Sequence, residues 1–208
     1  MRPQPPTGVP LQTRDIEAAV ARIEPEALEV LQRLVDTNSF SANTEGIRQT
    51  GEHIAAVGRH HGIDFRQVPV SGPPEARFHL LYDGRPPEDT RPFYVLLGHF
   101  DTVHEPQSGF RRFRREGGRW FGPGVLDMKA GLLTALYAVV VVREVTGQTR
   151  LPVKLLFNCD EETGSRDSAA LIEQETAGAA GAFVFEGRRE SDPALVTARK
   201  GIQMGSML

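Results

Sequence analysis

His99 and Asp101 stand two residues apart at the end of an apolar run, Phe93 to Leu97, that breaks at Gly98. Alternate side chains of a strand share a face, so both groups point the same way. A carboxylate beside an imidazole fixes the ring's tautomer and raises its basicity, as it does behind metal-binding histidines. Three acidic segments follow. Asp127 lies in the loop Phe121-Gly122-Pro123-Gly124-Val125-Leu126-Asp127, the triplet Asp160-Glu161-Glu162 comes after another apolar run, and Glu186 comes after a third. Imidazole and carboxylate ligands together suit zinc, with cobalt or manganese as substitutes.

Each feature also has an ordinary structural use. Acidic residues favour helix starts through the helix dipole, Asp127 can cap the helix behind it, and Glu186 can be a plain loop carboxylate. Singly, those uses suffice. What joins them is position, because the surrounding elements place all four segments at strand ends. Phe93–Phe100, Val153–Asn158 and Ala182–Phe185 have strand patterns, as do Ile63–Val70 and Phe78–Tyr82 around the breaker Ser71-Gly72-Pro73-Pro74. Ala130–Val145 is apolar nearly all round and is expected as a buried helix, with Ser165–Glu175 a second. Ahead of them, Ile16, Val20 and Ile23 form one helical stripe and Leu28, Leu31, Leu34 and Val35 another, with Pro25 opening the second helix. Thr44 is placed to cap a helix through Ile47, Ile54 and Val57 that stops near Gly62. Alternating strands and helices predict an α/β fold, with a mostly parallel central sheet and helices on both faces. Open sheets of this kind bind ligands beyond the carboxyl ends of their strands.

Composition bounds the partners. The chain has 208 residues, enough for one domain, and a net charge of -3 that argues against nucleic acid or an anionic membrane surface. The apolar run Ala138–Val142 is expected to be too short to span a bilayer. A single cysteine, Cys159, excludes an internal disulfide, and with no charged-then-apolar leader a cytoplasmic location is expected. Residues 1–12 are Pro-rich and expected as a loose tail.

The segments Gly98-His99-Phe100-Asp101-Thr102-Val103, Gly122-Pro123-Gly124-Val125-Leu126-Asp127-Met128-Lys129 and Asp160-Glu161-Glu162-Thr163-Gly164-Ser165 resemble the signature blocks of the M20 metallopeptidases, in order and spacing. That family includes glutamate carboxypeptidases, acetylornithine and succinyl-diaminopimelate deacylases, and aminoacylases. The resemblance implies a three-layer zinc-peptidase-like catalytic domain over residues 13–198, and a zinc-dependent hydrolase of amide bonds, either a metallocarboxypeptidase or an N-acyl amino-acid deacylase. His99 would ligate one zinc, with Asp101 orienting its ring. Asp127 would bridge two zincs, Glu162 would ligate the second and Glu186 the first, and Glu161 would stay off the metals as general base. Two zincs lower the pKa of a bridging water, and a nearby free carboxylate can take its proton. The substrate would be a small peptide or an N-acyl amino acid.

The chain also departs from the pattern. Members complete the second zinc site with a histidine far downstream, whereas the last histidine here is His104. Arg199-Lys200-Gly201 resembles the segment that leaves the catalytic domain, so 199–208 is expected to begin a lid domain that is otherwise missing, together with the usual dimerisation surface. The alternative function is therefore an inactive fragment or pseudoenzyme. His104, five residues after His99, is expected on a surface loop, and His53, His60 and His61 on a solvated helix end. Arg111, Arg112, Arg114 and Arg115 are expected in an exposed hairpin between Phe110 and Trp120, and Cys159 as a small buried hydrophobe.

Overall fold

The computed structural model describes residues 12–70, 77–187 and 196–197. Residues 1–11 of the expected tail, the breaker at 71–74, and Arg199-Lys200-Gly201 lie outside the described residues. In chain order the elements are α1 (Thr13–Asp36), α2 (Thr44–His60), β1 (Arg66–Pro69), β2 (Phe78–Asp83), β3 (Tyr94–His99), β4 (Arg114–Glu116), β5 (Arg119–Phe121), α3 (Ala130–Thr146), β6 (Val153–Asn158), α4 (Ser168–Thr176) and β7 (Gly181–Val184).

Five strands form one mixed sheet in the order β1-β2-β6-β3-β7. β3 runs parallel to both β6 and β7. β2 pairs antiparallel with β6 and β1 antiparallel with β2, so β2 alone runs against the other four. Successive residues of a strand face opposite sides, and the core divides accordingly. Leu80, Leu96, Leu155 and Phe157 pack under α1, α2 and α3 on one face. Leu81, Val95 and Leu156 meet Leu171 and Ile172 of α4 on the other. These layers make the expected three-layer α/β arrangement.

The helices differ in detail from the expectation. α1 is one helix with Pro25 inside it. Proline removes one helical hydrogen bond, but packing along α3 carries the helix through. Its buried stripe runs through Ala19, Val30, Leu31, Leu34 and Val35, while Ile16 and Val20 are exposed. Ala19 is small enough to escape a search for large apolar groups, so the expected stripe was turned off the true face. The cap of α2 is Asn43 rather than Thr44, accepting a hydrogen bond from the Gly46 N–H at 3.2 Å. β1 is shorter than expected at its start, and Ile63 is buried before the strand begins. Residues Val125–Thr146 do have the length and composition to cross a membrane, contrary to the expectation from Ala138–Val142. In this fold α3 is a core helix, with Leu132, Leu133, Ala135, Leu136, Tyr137, Val139 and Val141 buried.

Candidate active site

Because β6, β3 and β7 are parallel neighbours, their carboxyl ends share one edge of the sheet, and His99, Asp101, Asp127, Glu161, Glu162 and Glu186 meet at that rim. β3 ends at His99, paired in register with Asn158 at the end of β6. A short helical turn, Glu161–Thr163, follows β6, and Glu186 comes two residues after β7. Asp127 arrives from a wide turn, Val125–Lys129, that runs directly into α3, and the Asp127–Met128 peptide is cis.

His99 is buried, with Nε2 facing the carboxylates. It lies 3.0 Å from Asp127 Oδ1, 3.4 Å from Glu186 Oε1 and 3.8 Å from Glu161 Oε2. Ligand atoms of His99, Asp127 and Glu162 all fall within 4.8 Å of one another. The other ring nitrogen, Nδ1, is 3.0 Å from the Asp101 main-chain carbonyl and 3.3 Å from Asp101 Oδ1. Both neighbours are acceptors, so Nδ1 carries a proton and donates it.

The Asp101 carboxylate has a further task. Oδ1 accepts the Glu161 N–H at 3.2 Å, while Oδ2 accepts the Glu162 N–H at 3.1 Å and the Ser41 hydroxyl at 3.2 Å. One buried carboxylate thus ties β3 to the acidic turn after β6. Behind the turn, Asp160 Oδ2 accepts the N–H groups of Asp167 (2.8 Å) and Ser168 (3.1 Å) at the start of α4. His79, which no sequence pattern marks, completes this support. Its Nε2 lies 3.0 Å from Asp167 Oδ1, and its Nδ1 accepts the Cys159 N–H at 3.3 Å.

Two local features let the loops approach. Gly124 has φ 70° at the turn before Asp127, a left-handed conformation that costs a side-chain-bearing residue. At Gly131, a Cβ would lie 1.8 Å from the Phe185 carbonyl oxygen, so only glycine lets the chain to Glu186 cross the start of α3. The Lys129 ammonium pins the Asp127 loop to the end of α1 by donating to the carbonyls of Leu34 (2.8 Å) and Thr37 (3.1 Å). Complete burial drives its pKa down to about 7. The motif marks this lysine, but its partners belong to α1 and come only from the fold.

The rim is electrostatically crowded. Burial, then the charges of Asp127 and its neighbours, push Glu162 up to about 7. Glu161 is also raised, first by burial and then by the carboxylates around it, against the pull of His99. Burial disfavours the imidazolium of His99, but hydrogen bonds to Asp101 and Glu186 outweigh it and raise its pKa to about 11. The hydrogen bond to His99 in turn holds Glu186 below the ordinary carboxylate range. One imidazole nitrogen and several carboxylate oxygens, closely spaced and short of positive charge, form a donor set that fits a divalent cation.

Other candidates fall elsewhere. The His104 ring packs on Phe110, with centroids 5.2 Å apart. The arginine run does lie in part on a hairpin, with Arg114 over the Phe121 ring and Arg115 over Trp120. Cys159 is buried, and burial raises its thiol to about 12, as befits a core residue. A cavity of about 410 Å³, lined by Arg66, Tyr82, Asp83, Arg143 and Arg150 among others, sits at the opposite end of the sheet.

Residues 95–198, half of the chain, match the description Peptidase family M20/M25/M40. The chain belongs to this family. Its matched half contains all three sequence blocks and every residue of the rim. Carboxypeptidase G2 of Pseudomonas sp. (strain RS-16) is 27% identical over 181 residues, which is 86% of this M20 chain and 43% of that protein. Succinyl-diaminopimelate desuccinylase of Variovorax paradoxus (strain S110) is 26% identical over 155 residues, covering 70% of the chain and 38% of that protein. The crystal structure of human carnosine dipeptidase 1 superposes with a TM-score of 0.69 at 17% identity, over 82% of this chain and 40% of that one. The M20 chain thus spans less than half the length of each of these relatives.

Proposed function

We propose that this chain carries the metal-binding rim of a hydrolase that cleaves an amide bond next to a free carboxylate, as a carboxypeptidase or an N-acyl amino-acid deacylase. The observation that carries this reading is the meeting of His99, Asp127 and Glu162 within 4.8 Å, from separate segments, with Glu161 and Glu186 beside them. Family membership and the names of the two sequence relatives, a carboxypeptidase and a desuccinylase, favour the same bond class.

In the proposed assignment, His99 and Glu186 would hold one zinc and Glu162 a second, with Asp127 shared between them. When bound, such ions lower the pKa of water and polarise an amide carbonyl. The remaining work falls to the chain's own residues. The Nδ1–H donated to Asp101 keeps the Nε2 lone pair of His99 directed at the rim. Glu161 takes a proton at its carboxylate and returns it to the leaving nitrogen. Because the Glu161 and Glu162 N–H groups both rest on Asp101, base and ligand are fixed in one rigid turn.

The test is hydrolysis of an N-acyl glutamate and of a small dipeptide with zinc supplied. Activity should vanish on chelation and fall about 10²–10⁴-fold in Glu161→Gln, at unchanged thermal stability. A Glu161→Gln variant as active as the parent would remove Glu161 from this role. A second reading, a non-catalytic chain that keeps the rim, is favoured by a specific observation. Among the described residues the rim holds one imidazole, that of His99, while the His104 ring packs on Phe110. Zinc uptake without turnover of either substrate would select that reading.

A further inference from the structure

A second group of ligand-type side chains lies on the helical layer, away from the rim. One ring nitrogen each of His60 and His61 and a carboxylate oxygen of Glu26 fall within 4.8 Å of one another. The set joins the last residue of α2, the residue that follows it, and the middle of α1. Tyr137 of α3 donates its hydroxyl to Glu26 Oε1 at 3.0 Å, and its ring packs edge-on against His61 with centroids 5.5 Å apart. Tyr137 lies seven residues into α3, roughly 10 Å along the helix from its rim end.

We propose that Glu26, His60 and His61 form a second divalent-metal site, of the zinc or nickel class, that clips α1 and the end of α2 against α3. Two imidazoles and one carboxylate, with a position left for water, make a three-ligand set that zinc accepts. His61 Nε2 and Glu26 Oε1 are 2.7 Å apart, the length of a direct hydrogen bond. Two ligands on a tetrahedral ion with bonds of about 2.0–2.1 Å sit roughly 3.3 Å apart, so the pair must open by about half an ångström. Glu26 has a flexible side chain that is 39% exposed, so it can make that movement without repacking the core around His61. The Tyr137 hydroxyl supplies the outer contact that orients a ligating carboxylate. A hydrogen-bonded His61–Glu26 pair alone gives no role to His60; its ring, 4.9 Å from that of His61 and nearly perpendicular to it, brings the third donor to the same point.

The test is equilibrium dialysis of the full chain against zinc, with metal content read per chain and folding checked by circular dichroism. The rim variant His99→Ala should retain one zinc equivalent, and adding His60→Ala and His61→Ala should remove it. With the rim intact, the His60→Ala/His61→Ala variant should take up one equivalent less than the parent. Should that double variant fail to fold, the exposed single change His60→Gln should by itself weaken this uptake at least tenfold. Zinc uptake in His60→Ala/His61→Ala equal to that of the parent would overturn the proposal, as would the absence of saturable zinc from folded His99→Ala. Failure of the rim to bind would appear separately, as uptake unchanged by His99→Ala.

Discussion

Asp160 and Glu162 sit two residues apart in one turn, carry the same functional group, and meet opposite fates. Asp160 is 4% exposed and accepts backbone N–H bonds from the start of α4. Burial alone would raise its pKa, but hydrogen bonds from Ser168 and Asp167 more than compensate and hold it below the ordinary value. Glu162 is more open yet is raised to about 7, first by burial and then by the charges of Asp127, Asp101 and Glu161, which outweigh the pull of His99. A carboxylate surrounded by N–H groups is framework; one surrounded by other carboxylates is a place for a cation. Asp101 belongs with Asp160, although its sequence position beside His99 suggests a purely local role. Asp127, Glu161 and Glu186 belong with Glu162 by position, although Glu186 is held charged by His99.

If the division is right, the two groups should fail differently. Asp101→Ala should have the largest effect. It strips acceptors from the Glu161 and Glu162 N–H groups and a buried partner from His99, and should cost roughly 3 kcal/mol in urea unfolding together with rim zinc uptake. Unchanged stability would move Asp101 out of the framework. Asp160→Ala comes next, at about 2 kcal/mol. Since the folded pKa of Asp160 is depressed, its contribution is full above the ordinary value of 3.8 and is lost as the pH falls through the lower folded value. The deficit of the variant should therefore shrink in acid unfolding titrations. Glu162→Gln should have the smallest effect and the opposite sign. With its folded pKa raised, Glu162 costs the metal-free protein stability as pH rises from 4.5 to about 7. Without metal, the variant should melt at or above the parent's temperature at pH 8 and match it at pH 4. A loss of stability at pH 8 would place Glu162 with the framework.

The sequence determined the rim's membership. An apolar run followed by His-x-Asp, a glycine loop delivering Asp127, and carboxylates after two further runs are local patterns, and strand alternation carries them to strand ends without knowledge of the partners. The same locality exposed β3, β6, β7 and α3 to within a residue or two, because each is built on a continuous apolar run. It did not expose the order of the sheet or the reversed direction of β2, which depend on pairing between residues far apart in the chain. Nor did it show that α1 passes through Pro25, because packing against α3 outweighs a local preference to break. The partners of Asp101, of Lys129 and of His79 were likewise invisible. Each is a hydrogen bond between distant segments, from Ser41 to Asp101, from Lys129 to Leu34 and between His79 and Asp167. Residue types and spacing therefore picked out the groups that meet at the rim, while tertiary structure alone decided which carboxylates are buried and satisfied and which are left crowded at the surface. That outcome depends on what surrounds each group, and its surroundings come from other parts of the chain.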